Sequence, residues 1–355
     1  MQSRLITYPD RKLWNDFVAN SSECPVLQSF EWGELKSQFG WQPIRIAMED
    51  QGKIVAGISI LKREIPYIKH SIFYAPRGPV VDFGNRQLLG FLLDAVEKEA
   101  EKHKAISLKV DPAVLENQHL VLDTINSSGF EKAKKQIQPR ATILLDLQPD
   151  ADKILMSFDE KTRYNVRLAE KKVIIVREDP SEQGINIFYE MYEKTAQRDN
   201  FLVHPLKYYQ AIRKTLFEKG LGTNFIACYN NMPIAGVIVF FFGSKVWYMY
   251  GASTSEHRNK MPNHLLHWQI IQWAKEKGYK TYDLWGIPAN PVEGHPLFGV
   301  YRFKKGFGGK VVKYIGAYDF SHSLLFYNLF EHGLQWFQNL RSLIKKGKIE
   351  DSLGE

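Results

Sequence analysis

Lys304 is the residue of this 355-residue chain whose type and surroundings best suit catalysis. It follows Phe303 in GVYRFKKGFGG, a glycine-flanked aromatic segment that comes after the last strand of a predicted α/β unit, and we expect this segment to be a loop. A lysine at such a place could hold an ester carbonyl oxygen while negative charge develops on it. The alternative is a solvated lysine within a basic run, which is the ordinary role of such residues.

Two aspartates, Asp111 in LKVDP and Asp283 in YDLWG, each end a predicted strand and are candidates for a general base. Aspartates at such places also cap the next helix or turn, and that alternative stays open. The sequence contains no GxSxG, HExxH or P-loop motif, no Cys–His pairing and no metal-ligand spacing. Lys36, in WGELKSQF beside Trp32 and Trp41, would on its own be interpreted as a surface lysine.

The elements that must position these residues form two similar halves. The stretch 245–305 holds the aromatic strand KVWYMYGAS, an amphipathic helix and the strand TYDLWGIP, an order typical of an acyltransferase α/β unit. In the first half, IAMEDQGKIVAGISI from Ile46 matches IACYNNMPIAGVIVF from Ile226. Internal duplication explains the match, with chance similarity between two hairpins as the alternative. We therefore predict an α/β (α+β) fold with two tandem acetyltransferase-like (GNAT) domains.

Neither half contains the loop that holds acetyl-CoA in this kind of fold. Such a loop is rich in glycine and presents bare N–H groups to a pyrophosphate at a helix start. In RNKMPNHLL, Met261 and Asn263 stand where glycines are needed, and Pro262 has no N–H to donate. In RGPVVDFGNRQL, the proline and Asp82 are equally unsuited to an anion. The sequence therefore predicts an acyl donor other than acetyl-CoA, and no metal.

Composition narrows the class of protein and of partner. Lys plus Arg exceed Asp plus Glu by 47 to 39, which gives a net charge of +8 and a pI near 9.1. This balance favours polyanionic partners such as RNA, diphosphates or anionic lipid, with a merely solvated basic surface as the alternative.

The two cysteines, Cys24 and Cys228, indicate a reducing compartment. The N-terminus lacks the apolar core of a signal peptide, and the longest apolar run, PIAGVIVFFFG, is about half of the ~20 residues that a membrane helix needs. We expect a soluble, cytoplasmic monomer that can touch the membrane face.

The C-terminal segment LLFYNLFEHGLQWFQNLRSLIKKGK has a broad apolar and aromatic face followed by a basic end. We predict a helix that packs on the first domain. The alternative is an interfacial helix with Trp336 at headgroup level and Lys345, Lys346 and Lys348 on anionic lipid.

Stretches spread in order over nearly the whole chain together resemble one known family. They are QSFEWGELKSQFGW, YAPRGPVVD, IQPRATILLDL, KTRYNVRLAEKK, HPLKYY, KVWYMYGAS, HWQIIQWAKEKGYKTYDLWGIP and GVYRFKKGFGG. The family is the FemABX peptidoglycan peptidyltransferases. The run from Ser181 to Gly220 is too short for a coiled-coil arm, so the chain resembles the compact FemX type. The resemblance implies a first domain of residues 1–148 plus 318–355 and a second domain of residues 149–317.

The resemblance also implies an activity and its partners. Family members transfer an amino acid from aminoacyl-tRNA, which is a co-substrate and not a cofactor, to the side-chain amine of the third stem-peptide residue of a peptidoglycan precursor. The precursor is lipid II or UDP-MurNAc-pentapeptide, and both stay open here. Two further alternatives also stay open, namely an aminoacyl transferase for a protein or small-molecule acceptor, and a non-catalytic precursor-binding protein of cell-wall synthesis.

Position by position, the resemblance implies roles for seven residues. Lys36 would contact the diphosphate of the precursor, while Tyr208 and Tyr250 would line the precursor site. Phe303 and Lys304 would orient the aminoacyl ester and stabilise its tetrahedral intermediate, and Asp111 matches an aspartate considered as a base. His204 is a departure, because the compact relative has an arginine on the diphosphate at this position. Histidine is largely neutral at pH 7 and cannot bind a phosphate in the bidentate way that arginine does.

Overall fold

A computed structural model describes residues 1–323 and Tyr327. The chain divides into two compact units, Met1–Gln138 with Tyr314–Glu355, and Pro139–Lys313. No helix in the described part of the chain is both long enough and apolar enough to cross a membrane. The predicted C-terminal helix, with Trp336 and its basic end, lies outside the described residues apart from Tyr327.

Fourteen strands are found among the described residues. They are β1 Gln2–Leu5, β2 Gln42–Asp50, β3 Lys53–Glu64, β4 Ser71–Ala75, β5 Ala105–Val110, β6 Phe130–Lys132, β7 Ala141–Asp146, β8 Ile175–Glu178, β9 Gly222–Tyr229, β10 Met232–Phe242, β11 Lys245–Ser253, β12 Thr281–Asp283, β13 Lys310–Lys313 and β14 Tyr318–Ser321.

Ten α-helices lie between these strands in the same part of the chain. They are α1 Arg11–Ala19, α2 Phe30–Ser37, α3 Arg86–His103, α4 His119–Ser127, α5 Ala151–Met156, α6 Glu160–Lys171, α7 Glu182–Asp199, α8 Leu206–Thr215, α9 Pro262–Glu276 and α10 Phe298–Lys305. The helices α7 and α8 have 18 and 10 residues, which is much less than a long coiled-coil arm needs.

The two units contain sheets with the same plan. The first sheet has the order β1-β2-β3-β4-β5-β14-β6, and the second, taken in the equivalent direction, has the order β8-β9-β10-β11-β12-β7-β13. In each sheet the fourth and fifth strands pair in parallel, whereas all the other neighbours pair antiparallel. Identical order and sense in both sheets is the outcome expected from a duplicated unit.

The sixth strand of each sheet explains where the units begin and end. We predicted a boundary at residues 148/149, which would leave the strand ATILLDL in the first domain. In the structure this strand, β7, pairs with β12 and β13 of the second sheet. The corresponding place in the first sheet is taken by β14, which pairs with β5 and β6. The observed boundaries therefore fall at 138/139 and 313/314.

Local sequence explains the helices that carry functional residues. In α3 the Asn85 side chain accepts a hydrogen bond from the Leu88 N–H and caps the helix, whose apolar side then enters the core of the first unit. In α9 Pro262 begins the helix, where its missing N–H costs nothing, and residues such as Leu265, Leu266 and Ile270 are buried in the core of the second unit. These cores fix the ends of the parallel strands, and the candidate site of the second unit lies at such an end.

Candidate active site

A gap opens between the two parallel strands of the second unit. The strands β11 and β12 pair only between Lys245–Trp247 and Thr281–Asp283. Beyond that point β12 has ended, so the rest of β11 has β10 on one side and no paired strand on the other among the described residues. The chain after β12 turns at Trp285, which has a φ of +57°. As a result, the backbone carbonyls of Trp285 and Gly286 are available to a side chain.

Lys304 fills this gap. Its Nζ donates to the Gly286 carbonyl at 2.7 Å and to the Trp285 carbonyl at 3.3 Å, and it lies 5.2 Å from the centre of the Tyr248 ring. The residue is buried, with 6% exposure. An ammonium group has three N–H donors, and no third hydrogen bond is found among the described residues. The third N–H of the Lys304 ammonium group can therefore donate to an oxygen of a bound molecule.

Lys304 lies on a helix and not in the loop that we predicted. The segment Phe298–Lys305 is helix α10, and the Gly306 N–H donates to the Arg302 carbonyl at its end. The glycines of GVYRFKKGFGG suggested a loop, but those at 306, 308 and 309 lie after the helix. A helix holds the Lys304 Cα at a fixed place in the gap, which a loop does not do as well.

Burial determines the charge of Lys304. Desolvation lowers its pKa from 10.5 to about 7, and the Asp283 carboxylate acts in the opposite direction. Asp283 itself holds the turn. Its Oδ1 accepts from the Trp285 N–H at 2.8 Å and from the Thr142 hydroxyl. For Asp283 the structure thus favours the turn-capping alternative over a general base.

Two histidines of α9, which sequence reasoning missed, form the wall beside Phe303. The Phe303 ring is 5.2 Å from the His264 ring and 5.5 Å from the His267 ring. His267 is buried, its Nδ1 is 2.9 Å from the Tyr282 hydroxyl, and its ring packs edge-on against Tyr248 at 4.5 Å. The i, i+3 spacing in NHLLH was the signal that could have identified this pair.

Both histidines are neutral at pH 7. Burial lowers the pKa of His267 to about 3, with smaller effects from the charges of Lys304 and His264. Burial and the nearby Lys161 lower the pKa of His264 to about 4. The His264 Nε2 is 3.2 Å from the Asn165 amide, whereas its Nδ1 is buried without a hydrogen-bond partner in the described region. The positive charge beside Phe303 therefore comes from Lys304 and not from these two histidines.

A β-bulge separates the two tyrosines of β11. Ile238 pairs with Tyr250 and the next residue, Val239, pairs with Tyr248, so Met249 is an extra residue in β11. Residues two apart on a regular strand share a face, and the extra residue places Tyr248 and Tyr250 on opposite faces. Tyr248 therefore contacts Lys304 and His267, while Tyr250 contacts a different set of rings.

Tyr250 belongs to a cluster of aromatic rings from α7, α8 and the sheet. The Tyr250 ring is 5.4 Å from Tyr209 and 6.1 Å from Tyr192, and a side-chain hydrogen bond links it to Tyr208. Burial raises the pKa of Tyr208 and of Tyr192 to about 12, so the phenols stay neutral donors. His204 is exposed and stacks on Tyr208 at 4.0 Å. Tyr208, Tyr250 and His204 are thus brought together, as a precursor-lining role requires.

Lys36 lies in the first unit, in the last turn of α2. Its Nζ is 4.7 Å from the centre of the Trp32 ring, and burial together with the charge of Arg63 lowers its pKa to about 8. Arg63 is exposed and lies 5.0 Å from the centre of the Trp41 ring. Lys36 and Arg63 each lie against an aromatic ring, and the Arg63 charge disfavours that of Lys36, so a bound anion would stabilise the Lys36 ammonium. Arg63 is a second residue that sequence reasoning missed.

Asp111 follows β5 in the first unit and is 1% exposed. Its carboxylate accepts from the Tyr74 hydroxyl at 2.8 Å and from the Arg77 backbone N–H at 2.6 Å. Burial raises its pKa, an effect that the Arg77 charge opposes. Because both oxygens hold the turn after β4, the geometry supports a structural role more directly than the predicted catalytic one.

The two roles of Asp111 predict different results for Asp111→Asn. If the carboxylate holds the turn, the free energy of unfolding falls by about 1–3 kcal/mol because a buried N–H or hydroxyl loses its acceptor. The initial rate of aminoacyl transfer, measured at a temperature where the variant is folded, then stays within a few fold of the rate of the parent protein. Thermal unfolding and initial rates measure the two quantities. A rate loss of ~10²-fold or more in a fully folded variant would instead support catalysis by Asp111.

Several N–H groups at the helix starts that follow the fourth strands already have hydrogen-bond partners. At α9 the Met261 N–H donates to the Arg258 carbonyl, Pro262 has none, and the His264 N–H donates to the Met261 carbonyl. At α3 the Leu88 N–H is taken by the Asn85 side chain. A pyrophosphate would have to displace these bonds.

The first unit has a cavity at the ends of its own parallel strands. It has a volume of about 450 Å³ and is lined by residues that include Arg77, Asp82, Phe83, Pro112 and Glu23. None of the seven site residues predicted from the sequence lines it.

Comparison with known proteins agrees with the duplicated fold. The chain is similar to a solved tandem GNAT protein from the clavulanic acid biosynthesis pathway, with a TM-score of 0.54 and 12% identity over 91% of this chain and 99% of the other. Similarity at this level shows the fold alone. The two sheets and this likeness define a protein of two tandem acetyltransferase-like units, and the predicted fold class is confirmed.

A family model described as the FemAB family matches residues 10–221 and 218–332. The chain belongs to the FemAB family, which confirms the resemblance inferred from the sequence. A crystal structure of FemX superimposes with a TM-score of 0.87 and 26% identity over 93% of this chain and 100% of that one. The lipid II:glycine glycyltransferase of Staphylococcus aureus (strain MRSA252) is 27% identical over 389 aligned residues, which cover 89% of this chain and 92% of the relative. The enzyme of the same name from Staphylococcus haemolyticus (strain JCSC1435) is also 27% identical.

Proposed function

We propose that this protein transfers an amino acid from aminoacyl-tRNA to the side-chain amine of the third stem-peptide residue of a peptidoglycan precursor. The observation that carries the proposal is Lys304, buried in the gap between β11 and β12 with a donor to spare. Membership of the FemAB family and relatives named lipid II:glycine glycyltransferase support the substrate class. The N–H groups already hydrogen-bonded at the starts of α9 and α3 support a donor other than acetyl-CoA, and we expect no cofactor beyond the charged tRNA.

The chemistry is an ester aminolysis. The neutral amine attacks the carbonyl carbon of the aminoacyl ester, and the carbonyl oxygen becomes an oxyanion that the Lys304 ammonium stabilises. The bond to the ribose oxygen then breaks, the new amide remains on the stem peptide, and the proton of the amine passes to the ribose oxygen. Phe303, held by the two neutral histidines, would orient the ester in front of Lys304. The negative charge of the oxyanion raises the proton affinity of Lys304 and keeps it charged during the reaction.

Each unit offers groups that suit a part of the precursor. The rings around Tyr250 and Tyr208 suit the sugar and peptide parts, since they offer neutral phenol donors and apolar faces. Lys36 and Arg63 suit the diphosphate, because two cations on aromatic side chains are available there. Charged tRNA is a cytoplasmic molecule, so the reaction would take place in the cytoplasm, at the membrane face if the acceptor is lipid II.

The diphosphate assignment predicts the effect of removing either cation. Lys36→Met and Arg63→Met should each weaken binding of UDP-MurNAc-pentapeptide by about tenfold, because a charge-assisted hydrogen bond to an anion contributes roughly 1.5 kcal/mol. Titration calorimetry measures the affinity, with Lys53→Met, an exposed lysine of the first unit, as the matched control. Affinities equal to the control would contradict the assignment.

The experiment that tests the function is incubation of the protein with a full set of charged tRNAs and either lipid II or UDP-MurNAc-pentapeptide. Mass spectrometry of the precursor should show the mass of one or more added amino acids, and fragmentation should place them on the third residue. If the precursor is unchanged and the amino acid is found on another added acceptor, the result would favour the alternative, an aminoacyl transferase for a protein or small-molecule acceptor. Binding of precursor with charged tRNA left intact would favour a non-catalytic protein.

A further inference from the structure

One face of α6 carries a row of exposed basic side chains. The buried residues of this helix, Thr162, Asn165, Val166 and Ala169, form its inner side. The exposed basic and aromatic residues are Lys161, Tyr164, Arg167 and Lys171, and Lys172 follows at the helix end. Tyr164, Arg167 and Lys171 follow i, i+3, i+7 spacing and so share one face, with Lys161 at its edge and the exposed Glu160 at its start. Tyr164 is 62% exposed.

The row begins beside the candidate active site. Asn165 of α6 contacts His264, whose ring packs against Phe303, and the Asp159 N–H donates to the Gly306 carbonyl at 2.9 Å directly after α10. Lys161 is close enough to His264 for its charge to lower the pKa of that histidine. From Lys161 to Lys171 the helix rises about 15 Å, so the basic row leads away from Phe303 and Lys304 over several nucleotides of a strand.

We propose that this face of α6 binds the acceptor arm of the tRNA donor, with its basic side chains on consecutive phosphates and Tyr164 stacked on a nucleotide. This inference rests on the proposed function, since it names the surface that would hold the rest of a molecule whose 3′ ester lies at Lys304. Exposed cations interleaved with an aromatic ring are the pattern that binds a single strand without reading its sequence. Arg163 is not part of the row, because its guanidinium donates to the backbone carbonyls of Met156 and Phe158.

An RNA strand fits this face better than a membrane does. The exposed row has one ring and no broad apolar surface that could enter a bilayer. A phosphate strand needs only a narrow line of cations, each of which releases a counterion when it binds. One end of the row lies beside the site where the ester would react, so a strand bound along the row would have its 3′ end at that site.

The test compares two triple variants of the whole protein. Lys161→Ala/Arg167→Ala/Lys171→Ala removes the row, and Lys214→Ala/Lys219→Ala/Lys277→Ala removes the same charge from exposed positions of the same unit. Binding is measured with a tRNA whose amino acid is attached through a stable amide, at several salt concentrations. The first variant should bind ~10-fold or more weakly, and the slope of log K against log salt should fall by about 2, while the control keeps both.

A minimal donor separates this inference from the proposed function. An aminoacyl ester of the terminal adenosine alone is too short to follow the row, so it should be used equally well by the parent and the control, and at most about threefold less well by the first variant. If the parent transfers nothing from full-length charged tRNA, the proposed function fails. If the parent transfers but both triple variants bind tRNA equally, the α6 assignment is overturned. It is also overturned if the first variant loses binding to phosphatidylglycerol vesicles and keeps its affinity for tRNA.

Discussion

Replacing Lys304 with methionine is expected to slow aminoacyl transfer by ~10²-fold or more while precursor binding is retained. Lys304 is the cation in the gap between β11 and β12, and its two carbonyl partners leave one N–H for the oxyanion. The interaction strengthens as charge develops on the carbonyl oxygen, so its loss lowers kcat more than it weakens ground-state binding. Methionine has a similar length and fits the same buried place without a charge.

Single-turnover measurements with charged tRNA and saturating precursor give the rate of the chemical step in this variant. Lys310→Met, an exposed lysine of β13 in the same unit, is the matched control and should react like the parent. Precursor affinity, measured by calorimetry, should change by no more than about twofold. A Lys304→Met protein that turns over at the parental rate would remove Lys304 from the mechanism, whatever its place in the fold.

The residues of this site were easier to predict than the elements that hold them. GVYRFKKGFGG identified Phe303 and Lys304, because an aromatic residue beside a lysine between glycines is a local feature of the sequence. The same glycines led to the wrong prediction of a loop. A helix of eight residues is held by its packing as much as by its propensity, and packing is not visible in a short segment.

The bulge at Met249 shows a second limit of sequence reasoning. Strict alternation along KVWYMYGAS places Tyr248 and Tyr250 on the same face. The structure places them on opposite faces. Tyr250 and Tyr248 pair with Ile238 and Val239, which are adjacent in β10, so Met249 is an extra residue in β11. A bulge depends on both strands of a pair, and the glycine next to it, Gly251, does not by itself tell where in β11 the extra residue lies.

Strand partners distant in the chain were the third difficulty. The repeat between Ile46 and Ile226 gave the duplication correctly, since each hairpin is contiguous in the sequence. The strands β7 and β14 were less predictable, because each completes a sheet whose other strands lie on one side of it in the chain. Nothing in ATILLDL indicates whether it joins the strands before it or those after it. His264 and His267 were missed for a related reason, because only the folded unit shows that they line the wall beside Phe303.

Lys304→Met is also expected to stabilise the protein at neutral and acidic pH. The pKa of Lys304 is about 7 in the folded chain and 10.5 in the absence of burial, so protonating it costs stability. That cost is fully present below pH 7 and disappears as pH rises towards 10.5. A shift of this size corresponds to roughly 5 kcal/mol, from which the lost hydrogen bonds of the ammonium to Trp285 and Gly286 subtract about 1.5 kcal/mol each. The variant should therefore be about 2 kcal/mol more stable at pH 6.

The sign of the pH dependence distinguishes this cause from better packing. Above pH 7 the parent gains about 1.4 kcal/mol per pH unit relative to Lys304→Met, because its unfolded state binds the proton that the folded state has lost. Denaturant unfolding from pH 6 to 9 should thus show the advantage of the variant shrink and then reverse, while Lys310→Met follows the parent throughout. An advantage that stays constant over this range would mean that methionine simply fills the space better. A crossing of the two curves would show that the fold holds a cation where it is unfavourable, as a catalytic charge requires.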